Sequence, residues 1–405
     1  MKRRPRVLYV APVEPWCREN GSSLITADLL DGLAAIDAVE LLAVFVRPPP
    51  AGYARVPPDG LEGVLLDIPG LPRWISVLRA AVGWSSPLRH RFDNGRVARR
   101  IGSVLNERRF RPDLIHVEHL PLVDVGLKVA GLADRPLVYR AHNIESSLWA
   151  RRLGLPRVFK VPVVAHMERQ EANAVRAADL TLCISDVDLA WVRKSAPGVR
   201  AELLPCTLRL DRYDAVPRKE PVFEAQMCFV GGLDWAPNED GLRWFVQNVL
   251  PTVAQSAPGA GLAVLARGAT ERPWLRDHPR VHILAAEASA AELFASSHVS
   301  IAPLFQGGGV RIKIPESLAL GCPVVATTIG AEGHELHGLT RTDDPVDFAA
   351  ACVRHLSLKG RPGQDRALRT GVEERYGARV QADRLVALWD RTMSGRGAAS
   401  SSSVG

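Results

Sequence analysis

Short apolar runs alternate with helix-period stretches along nearly the whole chain, and this alternation restricts the fold more than any other feature. Runs at 6–11 (RVLYVA), 39–46 (VELLAVFV), 62–68 (EGVLLDI), 113–118 (DLIHVE), 137–141 (LVYRA), 180–184 (LTLCI) and 201–205 (AELLP) read as strands. Helical patterns at 22–36, 96–109, 121–131, 159–178 and 186–194 lie between them. Runs that are apolar on both faces belong to parallel sheets covered on both sides. The β-α-β-α order predicts a doubly wound α/β architecture.

The pattern lapses over 207–225, where "TLRLDRYDAVPRKEPVFEA" is polar and holds two prolines. It restarts with strands at 227–231, 261–266, 281–286, 299–304 and 323–329, and helices at 238–250, 290–297, 314–320 and 345–357. Two further helices, 363–376 and 379–392, close the fold. At 405 residues the chain is long enough for two domains with separate cores. The polar lapse is the natural linker, with the boundary set at 215/216. The low-complexity end, "SGRGAASSSSVG", reads as disordered.

Hydrophobic residues make up 47% of the chain and charged residues 23%, ordinary for globular material. No run approaches the roughly 18 apolar residues of a membrane span. The basic-then-apolar start, "MKRRPRVLYVAPVEPW", is too short and too interrupted for a signal peptide, so it reads as a first buried strand. The six cysteines form no C-x-x-C pair and no zinc spacing, which fits a reducing cytoplasm. The net charge of +7 is nearly all arginine and is spread out. With no basic tail and no basic-aromatic repeat, nucleic acid is not an expected partner. The charge suits anionic small molecules or an anionic membrane face instead.

The most informative stretch is 301–333, "IAPLFQGGGVRIKIPESLALGCPVVATTIGAEG". A strand delivers the chain into Gly307, Gly308 and Gly309, where bare N–H groups can approach an anion. Pro315 suits the first turn of a helix, whose N-terminus favours negative charge. Arg311 offers a planar fork to phosphate oxygens and Lys313 a point charge. Glu316 has two readings. A carboxylate in a first helical turn complements the helix dipole; it can also accept two hydrogen bonds from a ribose diol. Glycines, cations and carboxylate in this order favour a nucleotide, which needs a cationic site for its diphosphate and an anionic one for its sugar hydroxyls.

This stretch resembles the nucleotide-sugar signature of the retaining glycosyltransferases of family 4, which have the GT-B fold. "FVGGLDWAPNEDGLRWF" (229–245), "YRAHNIESSLWARR" (139–152) and "ADLTLCISDVD" (178–188) are similar to other segments of that family. The resemblance spans most of residues 6–391. It implies two doubly wound Rossmann-like domains facing across a cleft: 1–215 for the acceptor and 216–372 for the nucleotide-sugar. Residues 373–392 would be a helix crossing back to the first domain, and 393–405 a disordered tail. It assigns Glu316 to the ribose, phosphate contacts to the glycine loop with Arg311 and Lys313, and places Gly330 at the donor site. Two departures stand out. A second family glutamate eight residues before Glu316 is here Gly308, and "GGLDWAPNED" lacks the Arg and Lys often found after the first strand of the second domain.

His142 and Asn143 end a strand; His142 is either a structural histidine or a group that polarises or orients the donor sugar or the acceptor hydroxyl, Asn143 is a further orienting candidate, and Glu145 is either another or a helix-start carboxylate. Gly21, Ser22 and Ser23 precede a helix. They are either a loop glycine with a serine N-cap or a turn whose N–H groups face the diphosphate. Asp186-Val187-Asp188 has the spacing of a metal-binding D-x-D, but Ser185 can cap a helix with both aspartates in its first turn. "GHELHG" (333–338) is not H-E-x-x-H and reads as a loop, so no metal site is expected. Over 71–92, Trp74, Ile75, Leu78 and Trp84 alternate with Arg73, Arg79, Arg89 and Arg91. That is either a covered helix with a wet basic face or a membrane-surface helix near a lipid-linked acceptor.

The expected activity is therefore transfer of a sugar, with retention and without a metal or bound cofactor, from a nucleotide diphosphate-sugar to a saccharide or lipid-linked saccharide. The setting would be cytoplasmic or peripheral at the inner membrane face, in cell-surface polysaccharide or glycolipid synthesis. A nucleotide-sugar epimerase of the same architecture is the alternative, and a non-catalytic nucleic-acid binder a third reading.

Overall fold

The computed structural model of the chain describes residues 3–17, 21–48, 61–72, 75, 91–152, 157–285, 287–307, 309–357 and 365–401. The chain forms two compact units, one of residues 1–208 with 378–405 and the other of residues 209–377.

The first unit is built on seven parallel strands: β1 (Arg6–Val13), β2 (Glu40–Arg47), β3 (Glu62–Leu65), β4 (Leu114–Glu118), β5 (Leu137–Ala141), β6 (Leu180–Cys183) and β7 (Ala201–Leu203). Their order is β3-β2-β1-β4-β5-β6-β7, with Val7 opposite both Leu41 and Leu114. Alternation along β1 feeds two cores. Leu8 and Val10 face one layer with Val97, Ile101 and Val129, while Val7, Tyr9 and Ala11 face the other with Leu29, Leu30 and Leu33. Because both faces are covered, β4 and β5 are buried at every position.

The helix Ala378–Ser401 belongs to this unit and lays Ala382, Leu385, Leu388 and Trp389 on the second core beside the helix Gly21–Ile36. It runs on to Ser401, through the residues expected to be a disordered tail. That stretch contains no proline, so the packed first turns can propagate into it.

The second unit has six parallel strands: β8 (Ala225–Gly232), β9 (Ala260–Arg267), β10 (Val281–Ile283), β11 (Val299–Ala302), β12 (Val324–Ala326) and β13 (Leu339–Arg341). Their order is β10-β9-β8-β11-β12-β13. β13 is a partly exposed edge strand that apolar runs do not reveal. The short helices Glu145–Arg152, Leu250–Ser256 and Pro273–Arg276 were likewise not expected from periodicity. Residues 209–214, in the polar lapse, pack on the second unit, where Arg369 donates to Leu210 O at 3.0 Å and pairs with Asp214. Of the amphipathic 71–92 stretch, residues 73, 74 and 76–90 lie outside the described residues. Among the described residues no helix is long and apolar enough to cross a membrane.

Candidate functional sites

In each sheet the strand order reverses once, between β1 and β4 and between β8 and β11. The carboxyl ends of the strands at such a reversal splay apart and leave a crevice where ligands of doubly wound folds bind.

In the second unit, β11 leads into the glycine loop at this point. The loop is packed from both sides by backbone that only glycine permits. A Cβ on Gly241, in the helix Ala236–Asn248 after β8, would lie 1.9 Å from Pro303 O, and one on Gly330 would lie 2.1 Å from Ala302 O. Gly307 and Gly309 have φ of 126° and 82°, which side chains with a Cβ rarely adopt; Gly308 lies outside the described residues. The Trp235 ring, from the loop after β8, sits 2.8 Å from where a Gly307 Cβ would be. Arg311 is turned inward, its guanidinium donating to Gly309 O and lying 3.9 Å from Glu332.

Lys313 opens the helix Lys313–Ala319, with Pro315 in its first turn. Its Nζ is 3.0 Å from Glu316 Oε2, while the Tyr213 hydroxyl donates to Glu316 Oε1 at 3.1 Å. The structure thus brings Arg311, Lys313, Glu316, Gly307, Gly309 and Gly330 together, and adds Trp235 and Tyr213. Tyr213 lies 103 residues away from Glu316 within the polar lapse, so no local pattern announces it.

His334, read from sequence as part of a loop, is fully buried, with Nδ1 2.9 Å from the Tyr376 hydroxyl. Burial lowers its pKa from 6.5 to about 3. The unfolded ring therefore takes up a proton first as the pH falls. Stability from this neutral ring is complete above pH 6.5 and drains away toward pH 3, by up to about 1.4 kcal/mol per pH unit. His334→Asn, which keeps a polar atom near Nδ1 but cannot titrate, is expected to lose about 2 kcal/mol less stability than the wild type between pH 6 and 4.5. Urea midpoints across that window measure it, and parallel curves would exclude the effect.

The first unit carries a buried polar cluster at its own reversal. Glu118, the last residue of β4, is fully buried. It accepts from the Tyr9 hydroxyl, from His142 Nε2, from His116 Nε2 at 3.2 Å and from Arg140 at 3.4 Å. Trp389 Nε1 of the C-terminal helix donates to His116 Nδ1 at 3.2 Å. Burial alone would raise the Glu118 pKa, but Arg140, His142 and the hydrogen bonds from both histidines outweigh it and hold it well below the usual carboxylate range. Burial lowers the His116 pKa and raises that of Tyr9, the latter with help from Glu118.

Ser22 links this cluster to His119. Its hydroxyl is 3.2 Å from His142 Nδ1 and 2.9 Å from His119 Nε2, and the two rings stack at 3.9 Å. Gly21, Ser22 and Ser23 form the first turn of the helix Gly21–Ile36 itself, so Ser22 bridges two histidines from within the helix. Asn143 follows His142 and is partly exposed. Glu145 opens the helix Glu145–Arg152, whose first N–H groups are held by the buried Glu171 at 2.8 Å and 3.1 Å. Tyr9, His116, Glu118, His119, Arg140 and Trp389 were not singled out from sequence. The available signal was a carboxylate and a guanidinium inside strands that are otherwise apolar.

Ser185 accepts from Asp188 N–H at 3.1 Å and caps the helix Asp186–Ser195, with both aspartates of the D-x-D in its first turn. Among the described residues no group of three or more His, Cys, Asp or Glu is placed to hold a metal ion.

Residues 224–357 match the family model of the glycosyl transferases group 1. A glycogen synthase of Mycobacterium tuberculosis is 26% identical over 280 residues, covering 64% of this chain and 63% of the relative, so the match spans less than two thirds of that protein. Among solved structures, Anabaena HepE in complex with UDP and glucose matches with a TM-score of 0.59 at 15% identity, over 96% of this chain and all of HepE. A UDP-forming α,α-trehalose-phosphate synthase from Burkholderia xenovorans, in complex with glucose-6-phosphate, matches with a TM-score of 0.63 at 15% identity, over 95% of this chain and all of the synthase. These likenesses establish the fold, two Rossmann-like units of the GT-B kind. Residues 224–357 are thus similar to the glycosyl transferases group 1 family.

Proposed function

We propose that the chain transfers a sugar from a nucleotide diphosphate-sugar to a saccharide or lipid-linked saccharide, with retention, as the resemblance to family 4 implies. The observation that carries this reading is the coincidence of the group 1 match with the glycine loop, Arg311, Lys313 and the Tyr213–Glu316 pair at one strand reversal. On donor binding the diphosphate takes Lys313 from Glu316 and Arg311 from Gly309 O and Glu332. Glu316, oriented by Tyr213, then accepts from the ribose diol. The C1–O bond to the diphosphate breaks, the acceptor oxygen bonds C1 on the same face, and the acceptor proton passes to a leaving phosphate oxygen. The negative charge that builds on the diphosphate is met by preorganised cations and N–H groups, which gives a metal ion no required part.

In this proposal His142 serves catalysis by orienting the donor sugar or the acceptor hydroxyl, Asn143 and Glu145 are acceptor or orienting residues, and Gly21 and Ser22 serve the donor diphosphate. The proposed setting is the cytoplasm or the inner membrane face, in the synthesis of surface polysaccharide or glycolipid. An epimerase is disfavoured by a match to transferases; a free sugar isomer formed from donor alone would reinstate it.

A screen of nucleotide-sugars by thermal shift, beginning with UDP-sugars because HepE and the synthase are UDP-linked, tests the donor site. A cognate donor at about 100 times its Kd should stabilise the protein by about 2.7 kcal/mol. Failure of every UDP-, GDP-, ADP-, dTDP- and CDP-sugar to shift the midpoint would count against the proposal.

A further inference from the structure

We propose that His119 is a residue of the first unit that touches the saccharide, its Nδ1 accepting a hydrogen bond from a sugar hydroxyl, and that Ser22, His142 and Glu118 are positioning residues that keep this nitrogen unprotonated. The assignment rests on the transfer reading above.

His119 is the first residue after β4, on the crevice where the strand order reverses. Its φ of 67° lies where a residue with a Cβ is strained, and its N–H is fixed to Arg140 O at 3.0 Å. Backbone strain of this kind needs a surrounding that over-determines it, which the stacked His142 ring and Ser22 supply.

With His142 and His119 both neutral, the hydrogen bonds fix which atom is available. With Arg140 balancing the Glu118 charge, neutral rings satisfy the whole cluster. Glu118 can only accept, so His142 presents Nε2–H to it and leaves Nδ1 as an acceptor. Ser22 donates its one proton to that Nδ1. Its oxygen then accepts from His119 Nε2–H, which leaves Nδ1 of a neutral His119 as a lone pair. Both nitrogens of His142 are thus engaged, and the ring is only 3% exposed. His119 is half-buried, and among the described residues its Nδ1 meets no hydrogen-bond partner. Burial holds its pKa well below 6.5, so the ring stays neutral at pH 7. A neutral lone pair accepts from a hydroxyl and repels phosphate or carboxylate oxygens, which points to an uncharged part of a saccharide.

Two substitutions separate contact from scaffolding. In His119→Asn the side-chain amide sits near the Nδ1 position and can accept from a sugar. In His119→Gln it sits near the Nε2 position and keeps the link to Ser22. UDP-glucose as donor, with glucose, maltose and glucose 6-phosphate as acceptor probes, gives the readout. His119→Gln is expected to raise the acceptor KM about 10-fold, the worth of one hydrogen bond in a dry site, while His119→Asn stays near wild type. The reverse order, or equal effects in both, would assign His119 to scaffolding and overturn the proposal. So would imidazole nitrogen NMR showing the Nδ1–H tautomer at His119. If the wild type releases nucleotide from no nucleotide-sugar, the transfer reading itself fails. Turnover with an unaffected His119→Gln removes only this assignment.

Discussion

Lys313→Ala is expected to lower the turnover of sugar transfer by about 100-fold or more, the cost of removing one preorganised donor from a developing anion. The size of the effect follows from where charge appears. Breaking the bond to the diphosphate concentrates negative charge on the leaving oxygen, which a cation fixed beside it stabilises. Lys313 is the cleaner of the two cations to remove. Its side chain is 45% exposed, against 9% for Arg311, which also ties the loop together through Gly309 O. The Lys313–Glu316 pair, half open to water, contributes about 0–1 kcal/mol to stability. Tyr213 still holds Glu316 in the variant. A drop in kcat with an unchanged melting temperature therefore isolates the catalytic term. Arg311→Ala is expected to lose both activity and loop order. Undiminished kcat in Lys313→Ala at saturating donor would remove the phosphate assignment.

How much of this could be seen in the sequence depended on whether the relevant residues were contiguous. Most of the strands were legible because burial on both faces fills them largely with apolar residues; the partly exposed β13 was not. The glycine loop was legible because glycines, cations and carboxylate fall within ten residues of one another, 307 to 316. The Glu118 cluster draws its members from β1, β4, β5 and the C-terminal helix, with Trp389 reaching His116 across 273 residues. No window on the chain contains that arrangement. What each window did contain was a charge in the wrong place: Glu118 ending "LIHVE" and Arg140 inside "LVYRA", strands with every residue buried. Isolated ionised side chains are not left in such positions, since their desolvation costs several kcal/mol. One buried charge in an apolar strand therefore predicts a second nearby. The tail shows the opposite failure. Its composition resembles a disordered segment, but a helix already packed by Leu385, Leu388 and Trp389 continues through it.

That reasoning yields a large expected loss in stability. Glu118→Leu removes the only carboxylate that, among the described residues, the structure places against Arg140, whose side chain is wholly buried. Among the described residues the guanidinium keeps one further hydrogen bond, to Pro205 O at 3.3 Å, which is too little to solvate a charge away from water. Tyr9, His116 and His142 lose their common acceptor at the same time. Breaking one side of a buried ion pair costs about 3–5 kcal/mol, a large part of the stability of an ordinary domain. The double variant Glu118→Leu with Arg140→Met carries no uncompensated charge, and replacing both partners of a buried pair by apolar groups is often close to neutral. It should therefore recover most of the loss, leaving the share due to the unpartnered Tyr9 and histidines. Urea unfolding of the wild type, both single variants and the double variant forms the cycle. A double variant no more stable than Glu118→Leu would show that the cluster is held by its histidine and tyrosine hydrogen bonds, with the Glu118–Arg140 attraction contributing little.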